Sequence, residues 1–271
     1  MRYALFFALF LVMGCQPVDQ GPLIIDGSNG VRPLLAAVVK SYLEYYPERA
    51  VELGEGMPTD ERLPALDRGR IDLIMASHGL DADSLSRAGY DVYRFARMPV
   101  VFAAPVNLNV EVLRSPDLCA IFKGELNNWS EVGGPDVPIR TFVRPKSEVD
   151  MEVVEKYLPC FRQMTYGPEV VTRPSSGDMA RSLQVTPGSL GITTMTRVLQ
   201  SEGKLRVLGI DGVMPSYTNM QTNNYELMRD AFVVASPKPS EKVVHFLQFL
   251  ETEGLEVILR NRAYPLTRAG F

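Results

Sequence analysis

An apolar triplet, Leu23-Ile24-Ile25, runs almost directly into Gly27-Ser28-Asn29-Gly30, and that loop opens a stripe of apolar residues at helical spacing: Leu34, Leu35, Val38, Val39, Tyr42, Leu43 and Tyr46. The order strand, glycine-rich loop, helix then repeats. Residues 50–53 read as a strand, Gly54-Glu55-Gly56-Met57-Pro58-Thr59 as its loop, 60–68 as a helix, and 71–76 as the next strand. Strands that alternate with helices cannot be joined by hairpins, so they dictate a parallel sheet with helices packed on its faces, an α/β fold.

Pro99–Pro105 is a continuous apolar run between prolines and reads as a strand leaving a first lobe. Beyond it the spacing predicts a helix over 110–122, a strand over 139–143, helices over 151–158 and 177–184, and strands over 191–194, 206–210 and 231–235. A closing helix is expected over 240–262, interrupted near Gly254. At roughly 100–200 residues per domain, 271 residues make two lobes. Twenty-eight basic against thirty-two acidic side chains, with no Lys/Arg-rich run, exclude nucleic acid as a partner. Three cysteines, no two of them close, and two histidines exclude a zinc framework.

The N-terminus reads as an export address. Arg2 precedes about eleven apolar residues, Tyr3 to Met13, which as a helix cover ~16 Å of a ~30 Å bilayer core and cannot span it. Leu11-Val12-Met13-Gly14-Cys15 resembles the bacterial lipobox. That resemblance implies that residues 1–14 are removed, that Cys15 carries the lipid, and that 15–22 form a tether. The protein would then sit in the cell envelope, facing the periplasm or the exterior, with the lipid as its sole membrane contact. Gln16 after that cysteine points to the outer membrane in a Gram-negative cell. Cys119 and Cys160 remain, in an oxidising compartment. Either they form a disulfide, contributing about 4 kcal/mol by loop entropy, or they are two separate buried thiols.

Residues 120–139, AIFKGELNNWSEVGGPDVPI, resemble the signature of the phosphate-binding protein family, the extracytoplasmic receptors of phosphate ABC importers, through Phe122, Gly124, Asn128, Trp129 and the run Val132 to Asp136. Other segments agree in order: 27–34 with the family's first ligand loop, 69–80 with GxxDIAMxSRxL, 186–192 with TPGxIGY, 210–212 and 225–232 with the return crossing, and 253–266 with the C-terminal motif. The resemblance implies a two-lobed periplasmic binding protein type II fold, each lobe a mixed sheet flanked by helices, joined by two crossing strands. Lobe I would comprise 23–104 and 225–271, and lobe II 105–224. It also implies a monomer without cofactor that takes phosphate or another small oxyanion in the cleft and passes it to an ABC permease.

Such pockets rely on backbone N–H groups and hydroxyls at helix N-termini, where the macrodipole favours an anion, with an arginine adding charge. Ser28, Asn29, Thr59, Ser77, His78, Arg144, Ser147 and Ser176 are the expected ligand-binding residues. The pattern breaks at 144–150, RPKSEVD, where the family has RxxGSGT: Glu148 and Asp150 stand where hydroxyl donors are expected. One carboxylate ~4 Å from a bound anion would cost about 4 kcal/mol at an effective dielectric near 20. Either both acids turn away as helix N-terminal acids, or they face the cleft and weaken phosphate; the expectation is that they face it. The rival to a transport receptor is therefore a degenerate relative, serving as sensor, adhesin or scaffold. An exported hydrolase is disfavoured, because there is no GxSxG and His245 lies on an amphipathic stripe. Glu148, Asp150 and Asp178 would be the oxygen ligands of a cation alternative.

Overall fold

A computed structural model describes residues 21–77 and 80–268. Cys15 and His78 therefore lie outside the described residues. The chain begins with β1 (Leu23–Gly27), α1 (Arg32–Tyr45), β2 (Val51–Leu53), α2 (Thr59–Asp67), β3 (Leu73–Ala76) and α3 (Ala82–Arg87). β1 pairs in parallel with β2 and β3, as the strand–loop–helix order requires. Residues along β3 alternate between two cores. Leu73 and Met75 pack under α1, while Ile74 and Ala76 meet Ala65, Leu66 and Leu85 on the opposite face.

β4 (Asp91–Pro105) then joins the lobes as one strand, longer than the expected 99–105 segment. Its first part pairs with the return strand in lobe I, and its second part pairs in lobe II. The handover falls near Met98 to Val100 rather than at 104: Met98 belongs to the first core, whereas Val100–Ala104 belong to the second together with Tyr225 and Leu227. Tyr225 fixes this point by donating its hydroxyl to the Val100 carbonyl at 2.6 Å.

Lobe II comprises β5 (Val112–Leu113), α4 (Ser115–Lys123), β6 (Arg140–Val143), α5 (Val149–Tyr157), α6 (Pro159–Arg162), β7 (Val171–Thr172), α7 (Ser176–Val185), β8 (Ser189–Thr194), α8 (Met195–Leu199), β9 (Leu205–Ile210) and α9 (Tyr217–Gln221). The helix expected over 110–122 starts only at Ser115: Arg114 is extended at ψ 146°, Pro116 fills the first turn, and Val112–Leu113 pair in parallel with β9. Cys119 on α4 and Cys160 on α6 form a disulfide, their Cα atoms 6.2 Å apart.

The Trp129 motif builds the turn between α4 and β6. Asn128 accepts from the Ser130 N–H, Glu131 accepts from the Asn127 and Asn128 N–H groups, and buried Trp129 donates Nε1–H to the Gly188 carbonyl at 2.9 Å.

The chain returns through β10 (Met228–Ala235), antiparallel to both β3 and β4, into α10 (Glu241–Glu251), α11 (Glu253–Arg260) and β11 (Tyr264–Pro265). The closing helix expected over 240–262, with its interruption near Gly254, is two helices. They part at Thr252, whose φ −122°, ψ −100° is not helical and whose hydroxyl is turned back onto the Gln248 carbonyl at 2.8 Å.

Candidate functional site

Between the lobes lies a cleft cavity of about 480 Å³. Lobe I supplies the loop after β1 and the loop and first turn of α2; lobe II supplies the segment before α5 and Pro174. The β1 loop can turn this tightly because Gly27 sits at φ +144°, where a Cβ would lie 2.1 Å from the Met75 carbonyl oxygen. Ser28, 3% exposed, follows at the head of α1 and takes the Val31 and Arg32 N–H groups on its carbonyl. Among the described residues no backbone acceptor takes the N–H of Asn29 or Gly30, which leaves two donors at this helix head beside the cavity.

Asp26 knits the two lobe I loops together. Its Oδ1 accepts from Gly27 at 2.7 Å and from Gly56 at 3.0 Å, while Arg32 Nε donates to the Gly54 carbonyl at 2.7 Å. Asn29 lies against Gly56, where a Cβ would meet its Oδ1 at 2.1 Å. Thr59 lines the cavity at the start of α2, and Arg62, one turn on and 5% exposed, lines it too. Burial lowers the Arg62 pKa from the ordinary arginine value, while the negative charges of Glu148 and Asp26 pull it back up. Arg62 therefore stays a cation, and its Nε donates to the Met57 carbonyl at 3.2 Å.

From lobe II, Arg144 is 4% exposed; Nη1 donates to the Arg173 carbonyl at 2.7 Å and Nη2 lies 3.0 Å from Glu148 Oε2. Its buried Nε has no partner among the described residues. Ser147 is exposed on the cavity rim and Glu148 lines the wall. Among the described lining residues the charges are Arg62, Arg144 and Glu148, a net positive charge in a half-open cleft.

Three expected residues do not line the cavity. Asp150, on the first turn of α5, is 2% exposed and ion-paired at 2.8 Å with Arg229 of β10, so of the two acids expected to face the cleft only Glu148 does. Ser176 is buried and accepts from Arg197 Nη2 at 3.2 Å. Ser77 is buried at the end of β3. The cation alternative also fails: Glu148 and Asp150 face separate arginines, Asp178 accepts from Ser175 at 2.7 Å, and the described residues hold no acidic, His or Cys group arranged for a metal. His245 shares a 2.9 Å hydrogen bond with Tyr42 and does not line the cavity.

A family model described as PBP superfamily domain matches residues 16–253. The chain belongs to the PBP superfamily. It is 25% identical over 255 residues to the phosphate-binding protein PstS of Bacillus subtilis, across 91% of this chain and 81% of that protein. To the phosphate-binding protein PstS of Borreliella burgdorferi it is 20% identical, across 94% and 93% respectively. A Clostridium perfringens protein solved with bound phosphate, and described as a phosphate ABC transporter substrate-binding protein, superposes with a TM-score of 0.72 at 18% identity, covering 91% of this chain and 100% of that one. The mixed α/β architecture is that of type II periplasmic binding proteins. These relatives are named as binding proteins rather than enzymes. No helix of the described residues is long and apolar enough to cross a membrane.

Within this superfamily frame, sequence reasoning missed Arg62 and Asp26. Arg62 had a legible signal: Thr59 and Arg62 stand three apart on one helix, hence on one face, so a Thr59 aimed at the ligand brings Arg62 with it.

Proposed function

We propose that this PBP superfamily member is an extracytoplasmic solute-binding protein that takes phosphate or a related small oxyanion into its interlobe cleft. The observation that carries the reading is the convergence of two buried arginines, Arg62 from lobe I and Arg144 from lobe II, on one cavity beside the head of α1. Guanidinium forks match tetrahedral oxyanions bidentately, and a helix head adds up to ~2 kcal/mol for an anion in a partly buried site. Ser28, Asn29, Thr59 and Ser147 supply the remaining donors. The likeness to phosphate receptors supports the ligand class and, with it, delivery to an ABC permease. Lipidation at Cys15 supplies the anchor in this reading; a fatty-acid analogue should label the native chain and spare Cys15→Ser, and equal labelling of both contradicts it.

The second reading, a relative with an altered ligand or none, is favoured by Glu148, which occupies Arg144 at 3.0 Å, and by Pro58, which removes an N–H from the second loop. Native mass spectrometry of the protein purified from its own envelope separates the two. A co-purifying small oxyanion supports the first, and a bare chain that stays bare in millimolar phosphate supports the second.

A further inference from the structure

Asp150 occupies a position where the family resemblance places a ligand hydroxyl, yet it does not line the cavity. Its carboxylate lies 2.8 Å from Arg229 Nη1, with both side chains at least 97% buried. The other end of that guanidinium, Nη2, donates to the Gly30 carbonyl at 2.5 Å. Gly30 is in the first cleft loop, and a Cβ there would lie 2.6 Å from the guanidinium, so the glycine is what admits the arginine. One side chain on the crossing strand thus touches the first turn of lobe II helix α5 and the lobe I loop whose Asn29 and Gly30 N–H groups border the cavity.

We propose that Asp150 and Arg229 are a positioning pair for the first cleft loop. Asp150 fixes the charge and direction of Arg229, Arg229 fixes the Gly30 peptide, and the peptide aims the loop N–H groups at the anion. The link to ligand binding rests on the reading of the cleft as an oxyanion site; the link to loop order does not. A buried cation deprived of its partner is far costlier than the pair, so loss of Asp150 frees Arg229 to turn toward water and releases Gly30. The two acids of the 144–150 segment then have opposite roles: Glu148 acts on the cavity, and Asp150 acts on the loop behind it.

Amide hydrogen exchange and phosphate titration on the full chain test this. In Asp150→Asn the Val31 and Arg32 amides, which bond the Ser28 carbonyl, should exchange roughly tenfold faster or more in ligand-free protein, while β8 amides keep their native rates. Phosphate should bind at least about tenfold more weakly. Arg229→Lys keeps the charge but loses the fork, so it should give a smaller change in the same direction, and it decides the matter if Asp150→Asn does not fold. Arg94→Gln, altering a half-exposed partner of Asp230, should move neither readout. Unchanged Val31 and Arg32 exchange in the folded variants overturns the proposal even if phosphate binds the native chain. Faster exchange at those amides supports it even if the native chain ignores phosphate, a result that would count against the oxyanion reading alone.

Discussion

At the scale of single residues, the cleft is a contest between two guanidinium groups and one carboxylate. Glu148, with its side chain 30% exposed, lines the wall and holds Arg144. Replacing it by glutamine removes a repulsion toward any bound anion and frees an Arg144 nitrogen. Glu148→Gln should therefore strengthen phosphate binding about tenfold, ~1.4 kcal/mol, well below the ~4 kcal/mol of a 4 Å contact at an effective dielectric near 20, because Arg144 and the partial exposure of Glu148 already offset part of the charge. A weaker complex in titration calorimetry would mean that Glu148 accepts a proton from the ligand or orders Arg144. The place of Ser28 at the head of a helix was legible from the glycine-rich loop before α1, whereas Arg144 was picked out by the family resemblance of the segment ahead of α5. The fate of Asp150 was not legible: its partner Arg229 arrives on a strand from the far end of the chain, and no local spacing encodes that meeting.

At the scale of elements, α4 and α6 are tied by Cys119–Cys160 across a sequence separation of 41. Cys119→Ala with Cys160→Ala should lower unfolding free energy by about 4 kcal/mol in urea titration with the native topology kept, whereas an unchanged midpoint would show the bond to be energetically idle. Tyr93 on β4 is held by its hydroxyl on the Leu266 carbonyl at 2.9 Å and by the Arg268 guanidinium 4.7 Å above its ring. Burial, aided by the Glu251 charge and opposed by Arg268, pushes its phenol up to about 12. A pKa raised by folding contributes stability that is complete below the unfolded value near 10 and is lost as pH climbs toward 12. Alkaline unfolding followed by phenolate absorbance should start in that window, and Tyr93→Phe should lose less stability across it; equal losses would contradict the assignment. The strand–loop–helix units were legible from periodicity. The 110–122 segment was not, because Val110, Leu113 and Leu118 fit a helical face while Val112–Leu113 are captured by β9, a tertiary pairing that overrides the local pattern. The break between α10 and α11 was legible from Gly254 to within two residues, although the apolar stripe continues in phase on both sides of Thr252.

At the scale of the molecule, β4 and the Tyr225–β10 return make two α/β lobes one sheet, and their junction places buried cations of different lobes on one cavity. Lobe organisation was legible because motifs in lobe II and the first loop of lobe I stand in the family order; the handover point was not, because the apolar run through β4 is buried equally on both sides of it. On the proposed function, this cavity holds a small oxyanion through Arg62 and Arg144 together. Titration calorimetry of the full chain with inorganic phosphate, repeated on Arg62→Met and on Arg144→Met, decides between that role and none. A saturable one-to-one heat that weakens by about a hundredfold, ~2.8 kcal/mol, in each variant is the predicted result; no heat from the native chain, or affinity unchanged in both variants, would contradict it.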